Sequence, residues 1–198
     1  MEYNLDPLFD DLCYPDTSTL INKFDIHDEK ELQKLETVIT FVQSAELEKK
    51  PLNGKFDFTH YKAVHKFLFS EIYDWAGEIR AVNISKKGTF FCLFEQINER
   101  ADLIFGRLKK MNYFKNLNRN KFVSEIVDFY EITNGLHPFR EGNGRTQRSF
   151  LTMLIRFAGY DIDFSEIDGD LLMIATIQSS NGVNDLLHRI FDESIKMQ

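Results

Sequence analysis

Apolar side chains recur at the three- and four-residue spacing of an α-helix along most of this chain. The first such stretch follows Asp28, which can cap a helix start, and Glu31 is placed to complete a capping box. Apolar residues then occupy positions 32, 35, 39 and 42, and the pattern stops near residue 48, before Pro51 and Gly54. The pattern predicts a first helix over residues 28–48.

The same periodicity predicts six further helices. They cover residues 59–74, 94–111, 121–134 and 143–159 and two C-terminal stretches separated by residues 179–182. Between the second and third helices, residues 79–85 alternate at period two, and a second short run follows at 89–92. With Gly88 in the turn, these two runs are typical of a β-hairpin. The chain is therefore predicted to be all-α with one small β-hairpin.

The N-terminal region lacks any such period. It mixes Asp, Pro, Thr and aromatic residues, without a repeat or a low-complexity tract. We predict that residues 1–27 form an arm laid over the domain and that residues 28–198 form the domain itself, including its C-terminal helices.

The composition is unusual in its 19 phenylalanines among 198 residues. Phe carries a large apolar area without a polar atom, so a single well-filled core is feasible. No run reaches the roughly 18 apolar residues of a membrane-spanning helix, and the N-terminus has no secretory leader pattern. The two cysteines, Cys13 and Cys92, suit a reducing compartment. These features predict a cytoplasmic protein without membrane association.

The net charge narrows the range of partners. At −7, with a pI near 5.3, the chain is unsuited to coating nucleic acid, although it can still bind a phosphate locally. It shows no zinc-finger spacing and no aromatic RNA-binding signature. Nucleic acid is not expected to be a direct ligand.

The segment 137–148, HPFREGNGRTQR, lies between two predicted helices and carries the candidate chemistry. Gly142 and Gly144 let the backbone turn sharply and approach a ligand closely. They open a helix whose first N–H groups have no internal partner, which makes an anion cradle suited to phosphate. Arg145 and Arg148 are three residues apart, so both guanidinium groups can reach oxygens of one anion.

Two more residues of this segment can take part in a reaction. Glu141 would be repelled by a phosphate unless a cation lay between them, and Mg²⁺ held by one carboxylate and nucleotide phosphates resolves that conflict. His137, with an ordinary pKa of about 6.5, can accept a proton at neutral pH. Each residue alone has a structural interpretation, as a cap, a turn or a solvated charge. Their joint occurrence at a helix entry favours an active site.

The segment 137–148 resembles, position for position, the signature of the Fic family, H-x-F-x-D/E-G-N-G-R-x-x-R. The segment 74–80, DWAGEIR, resembles the W-A-G-x-x-R segment of the same family, and the predicted hairpin lies where the family has its flap. The resemblance covers residues 28–191. It implies a Fic-type helical bundle with a small β-hairpin flap.

This resemblance implies a protein adenylyltransferase, which moves AMP from ATP, with Mg²⁺ or Mn²⁺, onto a Ser, Thr or Tyr hydroxyl of a target protein. His137 would deprotonate that hydroxyl, Glu141 would hold the metal, and Phe139 would anchor the loop in the core. Asn143 could also orient the α-phosphate. The residues assigned to the phosphates within the motif are Gly142, Asn143, Gly144, Arg145 and Arg148.

The resemblance also assigns the hairpin to the docking of the target, whose extended segment would pair with it as an added strand. The flap residues are Lys86, Lys87, Gly88, Thr89, Phe90 and Phe91. Lys87 and Gly88 are also assigned to the binding of the nucleotide phosphates.

Many Fic proteins are restrained by a helix with the pattern Ser/Thr-x-x-x-Glu-Gly/Asn. The Glu of this helix forms an ion pair with the second arginine of the motif, which is Arg148 here. No such pattern follows Gly159, and in the nearest match, residues 44–49, Lys49 replaces Gly or Asn. We interpret that match as a solvated helix end. The chain then resembles the small bacterial class that a separate antitoxin protein restrains, and the resemblance implies an activity that is toxin-like or that affects cell division.

Other functions stay open at this point. The same scaffold could transfer a different nucleotide or a phosphate, although the related Doc kinases depart from the Gly-Asn-Gly portion that is intact here. A catalytically silent nucleotide-binding or interaction module would be expected to have lost the His or the glycines. A plain helical scaffold would not need an anion cradle beside an acid and a base.

Overall fold

The computed structural model describes residues 11–86 and 89–198, together with the backbone of Asn4–Leu5. Within these residues the chain forms seven α-helices and five short strands. The helices are α1 Glu29–Lys49, α2 Phe58–Phe69, α3 Ile97–Lys110, α4 Arg119–Leu136, α5 Asn143–Phe157, α6 Gly169–Ser180 and α7 Asp185–Ser194. The strands are β1 Asn4–Leu5, β2 Ile84–Lys86, β3 Thr89–Phe90, β4 Tyr160–Asp161 and β5 Lys196–Met197. The predicted all-α class with a small hairpin is confirmed.

Side chains supplied by the sequence cap several of the helix starts. The Asp28 carboxylate accepts a hydrogen bond from the backbone N–H of Glu31 at 2.8 Å, as the capping pattern predicted. Asp57, Asn118 and Asp168 cap α2, α4 and α6 in the same way. The start of α5 differs, because the residue before it is a glycine and no side chain caps it.

Helix α5 lies at the centre of the molecule and packs against α1, α2 and α4. Its Phe150 is fully buried and contacts the rings of Tyr61, Phe105 and Phe129 at centroid distances of 5.1, 5.8 and 6.2 Å. Aromatic residues dominate core energetics because each buries a large area. The phenylalanines thus build one core around α5, which holds the start of that helix in a fixed position.

Helix α2 ends at Phe69, five residues before the predicted end near residue 74. The backbone N–H groups of Ile72 and Tyr73 both bond to the carbonyl of Phe69 at 2.9 Å, which turns the chain out of the helix. Both side chains are nevertheless buried. The apolar periodicity therefore continues past the helix end, and this is why the sequence pattern overestimated its length.

The hairpin has the predicted position but shorter strands. Ser85 pairs with Phe90 and Lys86 with Thr89, whereas residues 79–83 lie outside the sheet. The N–H of Arg80 instead bonds to the carbonyl of Pro138, and the N–H of Cys92 bonds to that of Gly135, both at 2.9 Å. The flanks of the hairpin are thus tied to the last turn of α4 and to the loop that follows it, and not to each other.

Two strand pairings have no counterpart in the sequence predictions. Strand β1 pairs with β2, so the order is β1-β2-β3 and β3 is an edge among the described strands. Strand β4 pairs with β5 near the C-terminus. Following β1, the N-terminal region packs on the domain at Lys23, whose N–H bonds to the carbonyl of Ile72 at 2.9 Å. The boundary at residues 27 and 28 stays a prediction.

Candidate active site

His137 ends helix α4 in a left-handed conformation, with φ 42° and ψ 61°. Such a backbone is uncommon for a residue other than glycine and persists where the surrounding structure determines it. Here Arg80 supplies much of that constraint. Its side chain is 2% exposed, and its Nε donates to the carbonyl of His137 at 2.9 Å. The Arg80 side chain also bonds to the carbonyls of Val82 and Cys92, so one guanidinium joins the motif loop to both flanks of the hairpin.

The imidazole of His137 is buried and its orientation is defined. Its Nδ1 lies 3.1 Å from the carbonyl of Asn134, and a carbonyl can only accept, so Nδ1 carries the proton. Nε2 is then the nitrogen with the lone pair. The ring of Phe91 stacks on the imidazole, with the centroids 3.6 Å apart. The residue that follows the hairpin thus covers the candidate base.

Burial lowers the pKa of His137 to about 3. The hydrogen bond to Asn134 raises the pKa, and the positive charges of Lys86 and Arg80 lower it further. Desolvation disfavours the imidazolium, and neighbouring cations act in the same direction. His137 is therefore neutral at physiological pH, which is the state that a proton acceptor needs.

The motif loop is held from inside by Phe139 and Asn143. Phe139 is fully buried and its ring stacks on that of His65 at 3.8 Å, so it anchors the loop in the core. The side-chain amide of Asn143 accepts from the N–H of Phe139 at 2.9 Å and donates to its carbonyl at 2.7 Å. The sequence suggested the α-phosphate as a partner of Asn143. In the structure both polar atoms of its side chain bond to the loop backbone.

The two glycines at the start of α5 have different surroundings. Gly142 has φ 80°, and a Cβ there would lie 2.2 Å from the ring of Phe69. Gly144 is exposed, and a Cβ there would lie 3.2 Å from Nη1 of Arg148. Because no side chain caps α5, the N–H groups of its first turn point away from the helix with the positive end of its dipole. This is the geometry of an anion site.

The two motif arginines have different surroundings. Nη2 of Arg145 lies 2.9 Å from Oε2 of Glu36 on α1 and 3.3 Å from Oε1 of Glu141, and Nη1 lies 3.3 Å from the hydroxyl of Thr40. No carboxylate among the described residues lies within ion-pair distance of Arg148. Burial lowers the pKa of Arg148, and the charge of Arg145 contributes to that decrease. Both arginines lie at the start of α5, but only Arg145 has acidic partners in the described chain.

The Glu141 carboxylate lies at the start of α5, where its Oε1 accepts from the N–H of Gly142 at 2.8 Å. Its side chain is 20% exposed, so the group is accessible beside the anion site. The backbone of Glu141 is fixed by His65, whose Nε2 lies 3.0 Å from the Glu141 carbonyl. The structure therefore brings His137, Glu141, Arg145 and Arg148 to one loop and the first turns of one helix.

His65 was assigned by the sequence pattern only to the apolar stripe of α2. Its Nδ1 accepts from the N–H of Gly77 at 2.8 Å, so Nε2 carries the proton and donates to Glu141. Burial lowers its pKa to about 3, which keeps the ring neutral. The partners of His65 are 12 and 76 residues away in sequence, and helical spacing alone could not reveal them.

Of the predicted flap residues, Lys86 and Thr89 form the pair next to the turn, and Phe90 is 85% exposed at the edge of the sheet. Lys87 and Gly88 lie outside the described residues. Glu48, the glutamate of the near match to the inhibitory pattern, is 3.8 Å from Arg156 and has an exposed side chain. This placement agrees with our interpretation of residues 44–49 as a solvated helix end.

The chain is a helical bundle with a hairpin tied to the end of α4 and the loop that follows it, and with a central helix that begins after a glycine. Together these features define an α-helical fold of the Fic type. The Fic/DOC family matches residues 55–155, and the chain belongs to that family.

The relatives agree with this assignment. The chain is 38% identical over 174 residues to the probable protein adenylyltransferase y4lH of Sinorhizobium fredii, a match covering 87% of this chain and 89% of that protein. It is 35% identical over 181 residues to the protein adenylyltransferase VbhT of Bartonella schoenbuchensis, covering 91% of this chain but 38% of VbhT. The chain thus spans most of the length of y4lH and less than half of VbhT.

Among solved structures, the VirB-translocated effector BepC of Bartonella tribocorum, with bound AMPPNP, has a TM-score of 0.88 at 25% identity. The similarity covers 95% of this chain and 97% of that chain.

In the described part of this protein, no helix has the length and apolar character required to cross a membrane.

Proposed function

We propose that this chain is a protein adenylyltransferase that moves AMP from ATP to a Ser, Thr or Tyr hydroxyl of a target protein. The observation that carries the proposal is a buried, neutral imidazole with a defined tautomer, six residues before a helix start suited to phosphate. The relatives y4lH and VbhT are named for this activity, and BepC binds AMPPNP.

In the proposed reaction, Nε2 of His137 takes the proton of the target hydroxyl. The hydroxyl oxygen forms a bond to the α-phosphorus of ATP, the bond from that phosphorus to the bridging oxygen breaks, and pyrophosphate leaves. The low pKa of His137 keeps the imidazole ready to accept, and the negative phosphates of bound ATP would raise its affinity for the proton. No covalent intermediate with the protein is needed, because positioning and charge stabilisation supply the catalysis.

The phosphates are assigned to the start of α5. Backbone N–H groups of Asn143 and Gly144 would face them, and Gly144 is exposed and has no side chain to block a close approach. Arg145 and Arg148 would contact the β- and γ-phosphates, so that the leaving pyrophosphate is neutralised.

Glu141 fits a divalent cation as a single accessible carboxylate beside that site. In the described part of the chain, no group of three or more His, Cys, Asp or Glu side chains could hold a metal without further ligands. Mg²⁺ or Mn²⁺ would therefore share Glu141 with nucleotide phosphates, the coordination that Mg²⁺ commonly adopts in proteins. When bound, the metal supplies charge neutralisation to the phosphates.

We assign target docking to β3. Hydrogen bonding alternates along an antiparallel pair, and the residues that close a two-residue turn exchange both their bonds. Thr89 therefore uses its N–H within the hairpin, whereas the N–H of Phe90 faces outward. An extended target segment could pair with that edge beside Phe91 and His137. Lys87 and Gly88 complete the proposed flap.

We further propose a small antitoxin partner with the inhibitory pattern Ser/Thr-x-x-x-Glu-Gly/Asn. Its Glu would pair with Arg148, which has no acidic partner among the described residues. Changing that Glu to Gly should restore activity without abolishing binding, because one ion pair is a small part of such an interface. Activation of the purified chain by Glu48→Ala would instead place the inhibitory residue within this chain. The cytoplasmic, toxin-like setting stays a prediction with this partner.

The activity is tested by incubating the chain with a cell lysate and ATP labelled at either the α- or the γ-phosphorus. Relative to lysate without the chain, we expect additional protein labelling from α-labelled ATP, its loss in the His137→Ala variant, and no additional labelling from γ-labelled ATP. Additional labelling from γ-labelled ATP would favour phosphate transfer, and competition by unlabelled UTP or GTP stronger than by ATP would favour another nucleotide. No labelling of any protein would favour a silent nucleotide-binding module.

A further inference from the structure

Glu36 is a buried carboxylate that the proposed mechanism does not use. It lies on α1, is 6% exposed, and its Oε1 accepts a hydrogen bond from the hydroxyl of the buried Tyr73. Its Oε2 accepts from Nη2 of Arg145 at 2.9 Å. Taking a carboxylate out of water is costly unless it is paired and hydrogen-bonded, and these two contacts offset that cost for Glu36.

Arg145 is held by α1 as well as by its own helix. The hydroxyl of Thr40 donates to the carbonyl of Glu36 at 2.6 Å, which leaves its oxygen to accept from Nη1 of Arg145. The ring of Phe69 lies 4.7 Å from the guanidinium carbon. Burial lowers the pKa of Arg145, but Glu36 and then Glu141 more than offset that effect and keep it above its ordinary value.

The same guanidinium contacts Glu141, at the longer distance of 3.3 Å. Two carboxylates therefore share one positive group, and one negative charge is left in excess. If Glu36 were neutral, Arg145 would have Glu141 as its one carboxylate partner within the described chain. The charge of Glu141 would then be offset by Arg145, and a cation would have to compete with that ion pair.

We infer that Glu36 is a positioning residue that holds Arg145 on α1 and so keeps the Glu141 carboxylate available to a divalent cation. This inference rests on the proposed function, because it takes Glu141 as the residue that binds the metal. It adds a residue from a separate helix, 105 positions before Glu141 in the chain, to the control of nucleotide binding.

The test measures binding of AMPPNP by calorimetry over a range of Mg²⁺ concentrations. Glu36→Gln keeps the shape of the side chain and an acceptor for Tyr73 but removes the charge. We expect the Mg²⁺ concentration for half-maximal binding to rise on the order of tenfold, the effect of one charge-assisted hydrogen bond. Binding in excess EDTA should change by less than about twofold, because Arg148 and the N–H groups at the start of α5, which do not contact Glu36, still bind the phosphates. Glu46→Gln, an exposed site on the same helix, is the matched control.

Two further variants separate positioning from a general structural effect. In an Arg145→Met background, Glu36→Gln should no longer change the Mg²⁺ requirement, since the inferred action passes through Arg145. Thr40→Val removes the contact to Nη1 without altering charge, and a smaller shift in the same direction is expected. Should Glu36→Gln fail to fold, the Thr40→Val result decides the question.

A Glu36→Gln protein that loses affinity equally with and without Mg²⁺ would overturn the inference, because Glu36 would then act on the phosphate contacts. Tighter binding under both conditions would also overturn it and identify Glu36 as a competitor for Arg145. In either case wild-type binding would still depend on Mg²⁺, and the proposed function would stand. Wild-type binding that is indifferent to Mg²⁺ would contradict the metal role of Glu141 and this inference with it.

Discussion

The motif loop and the hairpin lie side by side, yet they are held in opposite ways. Residues 137–142 are fixed from several directions, by Arg80 at the backbone of His137, by Asn143 at Phe139 and by His65 at Glu141. The hairpin is anchored at its base, where Ile84 is buried, and presents Phe90 to solvent at an open edge.

This difference suits the two tasks that we propose for these regions. Proton transfer and phosphate binding need groups held within fractions of an ångström, so their residues belong on a loop with little freedom. Recognition of a second chain through its backbone needs an accessible strand edge and little side-chain selectivity. The connection between the two regions is direct, because Arg80 bonds to both and Phe91 stacks on His137.

The largest effect should come from the base in the rigid loop. His137→Ala should lower the rate of AMP transfer by about 10²–10⁴-fold, the usual contribution of a general base, and leave AMPPNP binding nearly unchanged. His137→Asn should lose transfer to the same extent, and Asn tolerates the left-handed backbone at this position. His27→Ala, at an exposed histidine, should be fully active. Transfer rates and binding constants of the three variants decide this. An active His137→Ala protein contradicts the role.

The rigidity of the loop is tested by two glycines with positive φ. Ala at Gly142 or at Gly159 carries the strain of that backbone, about 1–2 kcal/mol. At Gly142 the added Cβ also meets the ring of Phe69, whereas nothing lies within 4 Å at Gly159. Gly142→Ala should therefore lower the free energy of unfolding by a further 1–3 kcal/mol or so. If urea unfolding shows that both variants lose the same free energy of unfolding, the loop can move to accommodate the added Cβ beside the ring of Phe69.

The buried histidines that define the loop should make the fold sensitive to acid. The pKa values of His65 and His137 are about 3 in the folded protein and about 6.5 in the unfolded chain. The unfolded chain binds more protons between these values, so stability is complete above about pH 6.5 and falls as the pH is lowered towards 3. At pH 5.5 each histidine should cost about 1.4 kcal/mol.

Urea unfolding at pH 7.5 and 5.5 measures this loss. His137→Asn should remove about 1.4 kcal/mol of it, the share of that one histidine. A free energy of unfolding that is the same at both pH values would contradict the neutral state of the two rings.

The smallest effect is expected at the hairpin edge. Phe90→Pro removes the outward N–H and should slow transfer to the target by about tenfold, the value of one to two backbone hydrogen bonds, without changing AMPPNP affinity. Phe90→Ala keeps the N–H and is the matched control for the lost ring. If both variants slow transfer equally, docking depends on the side chain and not on strand addition.

Local sequence patterns predicted those features of the fold that depend on residues close together in the chain. Helical periodicity, the Asp28 cap and the glycine-rich start of α5 were all readable in the sequence. The length of α2 was wrong because Ile72 and Tyr73 stay buried after the helix ends. Strand β1 has two residues, which is too short for any period to show.

The sequence provided the candidate site residues but not the contacts that these residues make. Arg145 was expected to face phosphates, and its pairing with Glu36 joins residues 109 positions apart. The amide of Asn143 bonds to the loop itself, a contact that no spacing rule distinguishes from a ligand contact. Such contacts depend on how α1, α2 and α5 pack together. Local sequence patterns do not show this packing.

The most direct test of the central claim is the mass of the group that the chain attaches to another protein. Target proteins isolated from a lysate treated with the chain, ATP and Mg²⁺ should carry one AMP moiety on a Ser, Thr or Tyr hydroxyl. The same peptides should be unmodified with His137→Ala. A phosphate or a different nucleotide on those peptides, or an AMP adduct that persists with His137→Ala, would contradict the account.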